Sequence, residues 1–114
     1  MKSWYILTMH AESAAQFQES FFRRNPLAES VIALFDLLPH TYFYAKDQDS
    51  RFVKTNQLFL ENHGLQHEHE AIGRTDHDFH PPLLAKAYIE EDRRVMTSGR
   101  PLPVTPAPPT RAHE

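Results

Sequence analysis

The stretch "TYFYAKDQDSRFVKTNQLFLENHG", Thr41 to Gly64, is the part of the chain from which the rest can be read. Thr41–Lys46 and Arg51–Thr55 are rich in aromatic and β-branched residues. The polar Asp47–Ser50 between them has turn chemistry, so an antiparallel hairpin is expected. Asp47 stands where an Asx-type turn needs a side-chain acceptor. Asn56 leaves the second strand as the natural N-cap of a short helix, which Gly64 is placed to stop.

Upstream the period changes to that of helices. In Ala11–Arg24, Ala14, Phe17, Phe21 and Phe22 recur at helical spacing, and two arginines close the last turn. Asn25-Pro26 interrupts the chain and starts a second helix, with Leu27, Val31, Leu34, Phe35 and Leu38 on one apolar stripe and Pro39 as its end.

Downstream, "LQHEHEAIGRTDHDFHPP" reads as a compact connector with a helical turn around His69–Ile72. Gly73 suits a positive φ, Thr75 or Asp76 can cap the next turn, and Phe79 is the inward anchor. Pro81-Pro82 opens the longest helix, with Leu84, Tyr88, Val95 and Met96 on its apolar side and Gly99 as its stop. Five prolines between Pro101 and Pro109 forbid a central strand there and favour polyproline II or disorder. "PVTP" (Pro103–Pro106) fits the minimal PxxP pattern but reads as linker.

Composition narrows the function classes. The chain has 114 residues, 40% of them apolar, and a formal charge of −3 with the two signs interspersed, so no basic stripe suggests direct nucleic-acid binding. There is no cysteine, hence no disulfide, thiolate ligand or cysteine nucleophile. No apolar run approaches a membrane span, and a cytoplasmic location is expected. "HEHE" (His67–Glu70) and "DHDFH" (Asp76–His80) could be drawn as a metal cluster, but no ligand pair has i, i+4 spacing on a clear helix. Gly64 interrupts the His63–His67 pair. Asp76 and Asp78, two apart, lack the convergence an acid/base pair needs. Neither a catalytic nor a metal residue is expected.

The order of these pieces carries a resemblance. "LP" before the first strand, "KDQDSRFVKTN" as the hairpin, "IGRTDHDFHP" as the connector and "EDRRVMTSGRP" at the end of the long helix resemble, over about Leu34–Leu102, the first two-thirds of a PAS domain. Such modules serve bacterial transcriptional regulators, histidine kinases of two-component systems and diguanylate cyclases. The resemblance implies an α+β fold, an antiparallel sheet with helices on one face, and three further strands after the long helix. "RPLPVT" could begin only one of them, so the expected fold is C-terminally incomplete, leaving an unpaired aromatic edge at Thr41–Lys46. The expected division is a helical extension (1–30), a partial PAS domain (31–104) and a proline-rich tail (105–114).

It also implies a non-catalytic sensory and dimerisation module, or else a ligand-free interaction module or fragment. The cavity lining would come from Tyr42, Tyr44 and Phe52 of the hairpin, Leu58 and Phe59 of the short helix, Ile72 and Phe79 of the connector, and Leu84, Tyr88 and Val95 of the long helix. All ten could equally be ordinary core. Asp47, Asn56, Gly73 and Asp76 would be structural. The cofactor is unknown. A flavin photoadduct needs the cysteine this chain lacks, and a haem would need an axial histidine that the long helix does not carry. Met96 there reads as core. The partner would be a second copy or another PAS-containing chain, through the stripe Phe17, Phe21 and Phe22. That stripe could equally fold back on its own sheet.

Overall fold

A computed structural model describes the backbone of residues 2–102 and the side chains of residues 13–102. The expectations for the proline-rich tail and for "PVTP" lie outside the described residues. In chain order the elements are α1 (Lys2–Arg24), α2 (Pro26–Phe35), β1 (Tyr44–Lys46), β2 (Phe52–Thr55), α3 (Gln57–Asn62), 3-10 turns at Glu68–Glu70 and Asp76–Asp78, and α4 (Pro82–Ser98).

The hairpin forms as its composition demands. β1 and β2 pair antiparallel, Tyr44 opposite Thr55 and Lys46 opposite Phe52, with a bulge at Ala45/Lys46. Asp47 closes the turn: one carboxylate oxygen accepts from the backbone N–H of Asp49 (2.9 Å) and Arg51 (3.0 Å), the other from Arg51 Nε (2.9 Å).

The first strand is shorter than the expected Thr41–Lys46, because the Asn56 side chain replaces its first rungs. Asn56 Oδ1 accepts from Phe43 N–H (3.2 Å) and from Phe59 N–H (3.1 Å), while Nδ2 donates to the Thr41 carbonyl. One amide thus caps α3 and ties down the approach to β1. Asn56→Ala is expected to cost about 2 kcal/mol, a helix cap plus one stranded strand donor. A urea midpoint unchanged from the wild type would contradict this.

The outer edge of β2 is covered. Phe52 N–H donates to the Arg74 carbonyl (2.8 Å) and Gly73 N–H to the Phe52 carbonyl (2.7 Å). Gln18 Nε2 donates to the Val53 carbonyl (2.9 Å), and Thr55 N–H to Glu68 (2.8 Å). The outer edge of β1, in contrast, has no strand beside it among the described residues. Gly73 takes φ +82° where the connector turns back along β2, with the Phe17 ring close against it.

The two sheet faces take different cover. Pairing puts Tyr44, Lys46 and Phe52 on one face, Ala45 and Lys54 on the other. On the first face Phe52, Phe59, Leu60 and Ala71 form the core, with Leu65 and Phe79 packed against it. On the other side lies α1. Phe17 holds the Arg51 guanidinium 4.8 Å from its ring centre. Phe22 and Lys54 border a hollow between α1 and α2. Phe17, Phe21 and Phe22 are each half-buried, Phe17 against Arg51 and Gly73, and Phe22 beside the hollow between α1 and α2.

Three details differ from expectation. Helix α1 starts at Lys2 rather than Ala11, since no residue from Lys2 to His10 breaks a helix. Helix α2 ends at Phe35, and its stripe passes through hydrogen-bonded turns before reaching Pro39. On α4, Val95 and Met96 are exposed rather than core; only Ala85 is fully buried there, because α4 runs on past the short sheet.

Candidate functional site

Rings collect on the Tyr44 face of the hairpin. Phe59 of α3 is at the centre, with centroids 5.0 Å from Phe52, 5.7 Å from Tyr42, 5.8 Å from Tyr44 and 6.5 Å from Phe79. The His63 ring stacks on it at 3.9 Å. His63 meets His80 at 5.6 Å, and His80 meets Tyr88 of α4 at 5.1 Å, so the cluster runs unbroken from the sheet to the long helix. Phe52 and Phe59 are fully buried, whereas Tyr42 and Tyr44 stand nearly half exposed on the open edge of β1. Burial raises both phenols' pKa; at Tyr42 the neighbouring Tyr44 adds to the shift.

At one end of this aromatic surface lies an ion triad. Lys46 Nζ is 2.6 Å from Asp76 Oδ2 and 2.6 Å from Asp92 Oδ2. The Lys46 and Asp76 side chains are only 7% and 6% exposed, so both charges are largely removed from solvent. The ammonium also sits 5.1 Å from the Phe52 ring centre and 5.4 Å from that of Tyr44. Burial works against the lysine's charge, but the hydrogen bonds to Asp76 and then Asp92 outweigh it and hold its pKa above the ordinary value. His80 Nε2 stands 3.8 Å from Asp76 Oδ1.

The triad separates the two cap candidates. Asp76 is not a cap: Thr75 is, its Oγ1 accepting from His77 N–H (3.3 Å) while Asp78 accepts from Thr75 N–H (3.0 Å). Asp76 points inward because Lys46 requires a counter-charge. In the "HEHE" segment Glu70 clamps its own turn, accepting from the N–H groups of His67 (2.7 Å) and Gln66 (2.9 Å). These bonds, the one from His67 first, lower its pKa.

Of the ten expected lining residues, six join the ring network: Tyr42, Tyr44, Phe52, Phe59, Phe79 and Tyr88. Leu58 does not. It borders a hollow of about 340 Å³ on the other side of α3, together with Phe35, His40, Thr41, Thr55 and Glu68. Ile72 is buried, Leu84 is half-buried and Val95 is exposed.

Lys46 and Asp92 were not expected as site residues, yet the pattern contains a signal for each. Alternation puts Tyr42, Tyr44 and Lys46 on one strand face, and a lysine on an aromatic face needs an acid. Leu84, Tyr88 and Asp92 follow one another at i, i+4, i+8 along one side of α4.

A hairpin, a capped short helix, a tight connector and a long helix around one aromatic face are the arrangement that a comparison with protein families can test. A family model described as PAS fold matches residues 35–110. The chain belongs to the PAS fold family. No curated protein and no solved structure gives a match. The PAS match begins at Phe35, whose ring stacks on Phe43 at 4.2 Å where the chain enters the hairpin. Helix α1 and nearly all of α2 therefore precede the PAS segment. PAS folds are sensory and interaction modules, and the α+β arrangement of helices over a short antiparallel sheet agrees with that membership. No described helix is long and apolar enough to cross a membrane.

Proposed function

We propose that the chain is a non-catalytic sensory and dimerisation module of cytoplasmic bacterial signalling or transcriptional regulation, serving an effector outside these 114 residues. A single observation carries the reading: within a PAS fold, an aromatic surface bordered by a buried ion triad ends in two half-exposed tyrosines, Tyr42 and Tyr44. A small, flat, largely apolar molecule would gain ring contact there. Displacing Lys46 from its carboxylates would couple its arrival to α4 through Asp92.

A second reading has its own support. The rings already pack on one another at 3.9–6.5 Å around Phe59, and of the expected lining residues only Leu58 borders the hollow beside α3. That favours a ligand-free interaction module.

Native mass spectrometry of gently purified protein separates the two. The sensor reading expects a species heavier than the 13.3 kDa chain that falls to the bare chain on collisional activation. Bare chain alone, from several expression hosts, would overturn the sensor reading and leave the interaction module.

A further inference from the structure

The hollow of about 340 Å³ beside α3 is formed by three segments: the link from α2 to β1, the β2–α3 corner and the first 3-10 turn. Its volume falls within the roughly 300–1,000 Å³ of small-molecule sites. Phe35 and Leu38 from the link, with Leu58 and Leu60 of α3, supply its apolar border. One polar group there has no use in the fold. Thr55 borders the hollow and is only 3% exposed, yet its hydroxyl has no hydrogen-bond partner. A buried hydroxyl without a partner is destabilising, and a bond to something held in the hollow would account for it.

The charges around the hollow select the sign of its occupant. Asp36 and Glu68 border it, and no lysine or arginine does. Glu68 is already engaged: it accepts from Thr55 N–H (2.8 Å), and Lys54, which is not on the border, approaches it to 3.6 Å. That leaves the Asp36 carboxylate as an excess negative charge, suited to one cation and repelling an anion. The remaining titratable neighbour is His40, whose neutral ring can accept a further N–H. Among the described residues, no group of three or more histidine and acidic side chains is arranged to hold a metal ion, so an organic cation fits better.

We propose that this hollow binds a small organic ammonium ion. The three N–H groups of the ammonium are met by Asp36, Glu68 and the Thr55 hydroxyl, and a short apolar body lies against Phe35, Leu38 and Leu58. The bound ion joins the α2–β1 link to the β2–α3 corner. The site goes beyond the sensor reading, whose aromatic surface is on the other side of α3, and either can fail alone.

Benzylammonium, benzyl alcohol and benzoate share one body and differ in charge, so an amide-resolved NMR titration of the full chain with each is the test. Benzylammonium is expected to saturate with a Kd on the order of 1 mM or tighter, moving the amides of Asp36, Thr55, Leu58 and Glu68. Benzyl alcohol is expected to bind at least about fivefold more weakly, and benzoate not at all. Asp36→Asn, at an exposed position, is expected to weaken benzylammonium by about fivefold or more with the fold unchanged. Thr55→Val is expected to weaken it severalfold while the urea midpoint stays equal or rises, because the unpartnered hydroxyl is gone. Equal affinity for the three probes, no saturation with benzylammonium, or an affinity unchanged in both variants would overturn the proposal. Shifts confined to Tyr42, Tyr44 and Lys46 would overturn it as well, and would favour the ring surface instead.

Discussion

Lys46→Ala is expected to cost about 3–5 kcal/mol, because it leaves Asp76 and Asp92 facing each other around an empty site, Asp76 nearly without solvent. For a domain whose whole stability is about 5–15 kcal/mol, this is a large part of the total. A urea titration reads it directly. The partner variant Asp76→Asn is expected to be milder, since Asp92 still accepts from Lys46. The double variant should be less damaging than the sum of the two single ones. If Lys46→Ala left the midpoint within the range of surface substitutions, the triad would be no more than a screened surface pair.

The same lysine sets an alkaline limit. Its pKa is raised in the folded state, so its contribution is complete below the ordinary lysine value of about 10.4 and is lost as pH climbs through the folded value. The wild type should therefore lose stability in that window. Lys46→Ala should lack this particular loss. Parallel pH profiles for the two proteins would contradict the assignment.

Phe59→Ala carries the second large effect. Its ring is fully buried and touches Phe52, Tyr42, Tyr44 and His63, so truncation opens a cavity at the one point where hairpin, α3 and connector meet. The expected loss is about 3–5 kcal/mol. With about 4 °C or more per kcal/mol for a domain of this size, the melting temperature should fall by at least ~12 °C. Phe59→Leu keeps most of the volume and should cost about 1.5 kcal/mol or less. Equal melting temperatures for the two variants would mean that the ring cluster is not the centre of the core.

The parts of the fold legible in the sequence are those written in local chemistry. Asp47 closes its turn and Asn56 caps its helix because each needs only neighbours within about four residues, which the sequence places beside it. Gly73 is legible for the same reason, as a positive φ excludes most other side chains. The triad was hidden, since its members are 30 and 46 positions from Lys46 and only the packed fold brings them together. Between Thr75 and Asp76 the sequence does not choose a cap, since both residues suit one; Thr75 takes it and the buried ammonium claims Asp76. The α1 and α2 stripes show the limit of periodicity. It identifies which side of a helix is apolar, but it does not say whether the chain itself covers that side, and the answer differs between the two helices.

The central claim is that this chain folds as a PAS domain organised around the hairpin, α3 and the connector. Amide hydrogen exchange followed by mass spectrometry tests it most directly. The account predicts the slowest exchange at Phe52, at Thr55 and Phe59–Leu60, and at Gly73, where the backbone donors are bonded within or beside the buried core. It predicts fast exchange along the outward amides of Tyr42 and Tyr44 on the open edge. Uniformly fast exchange across residues 52–73, or protection confined to α1 and α4, would contradict it.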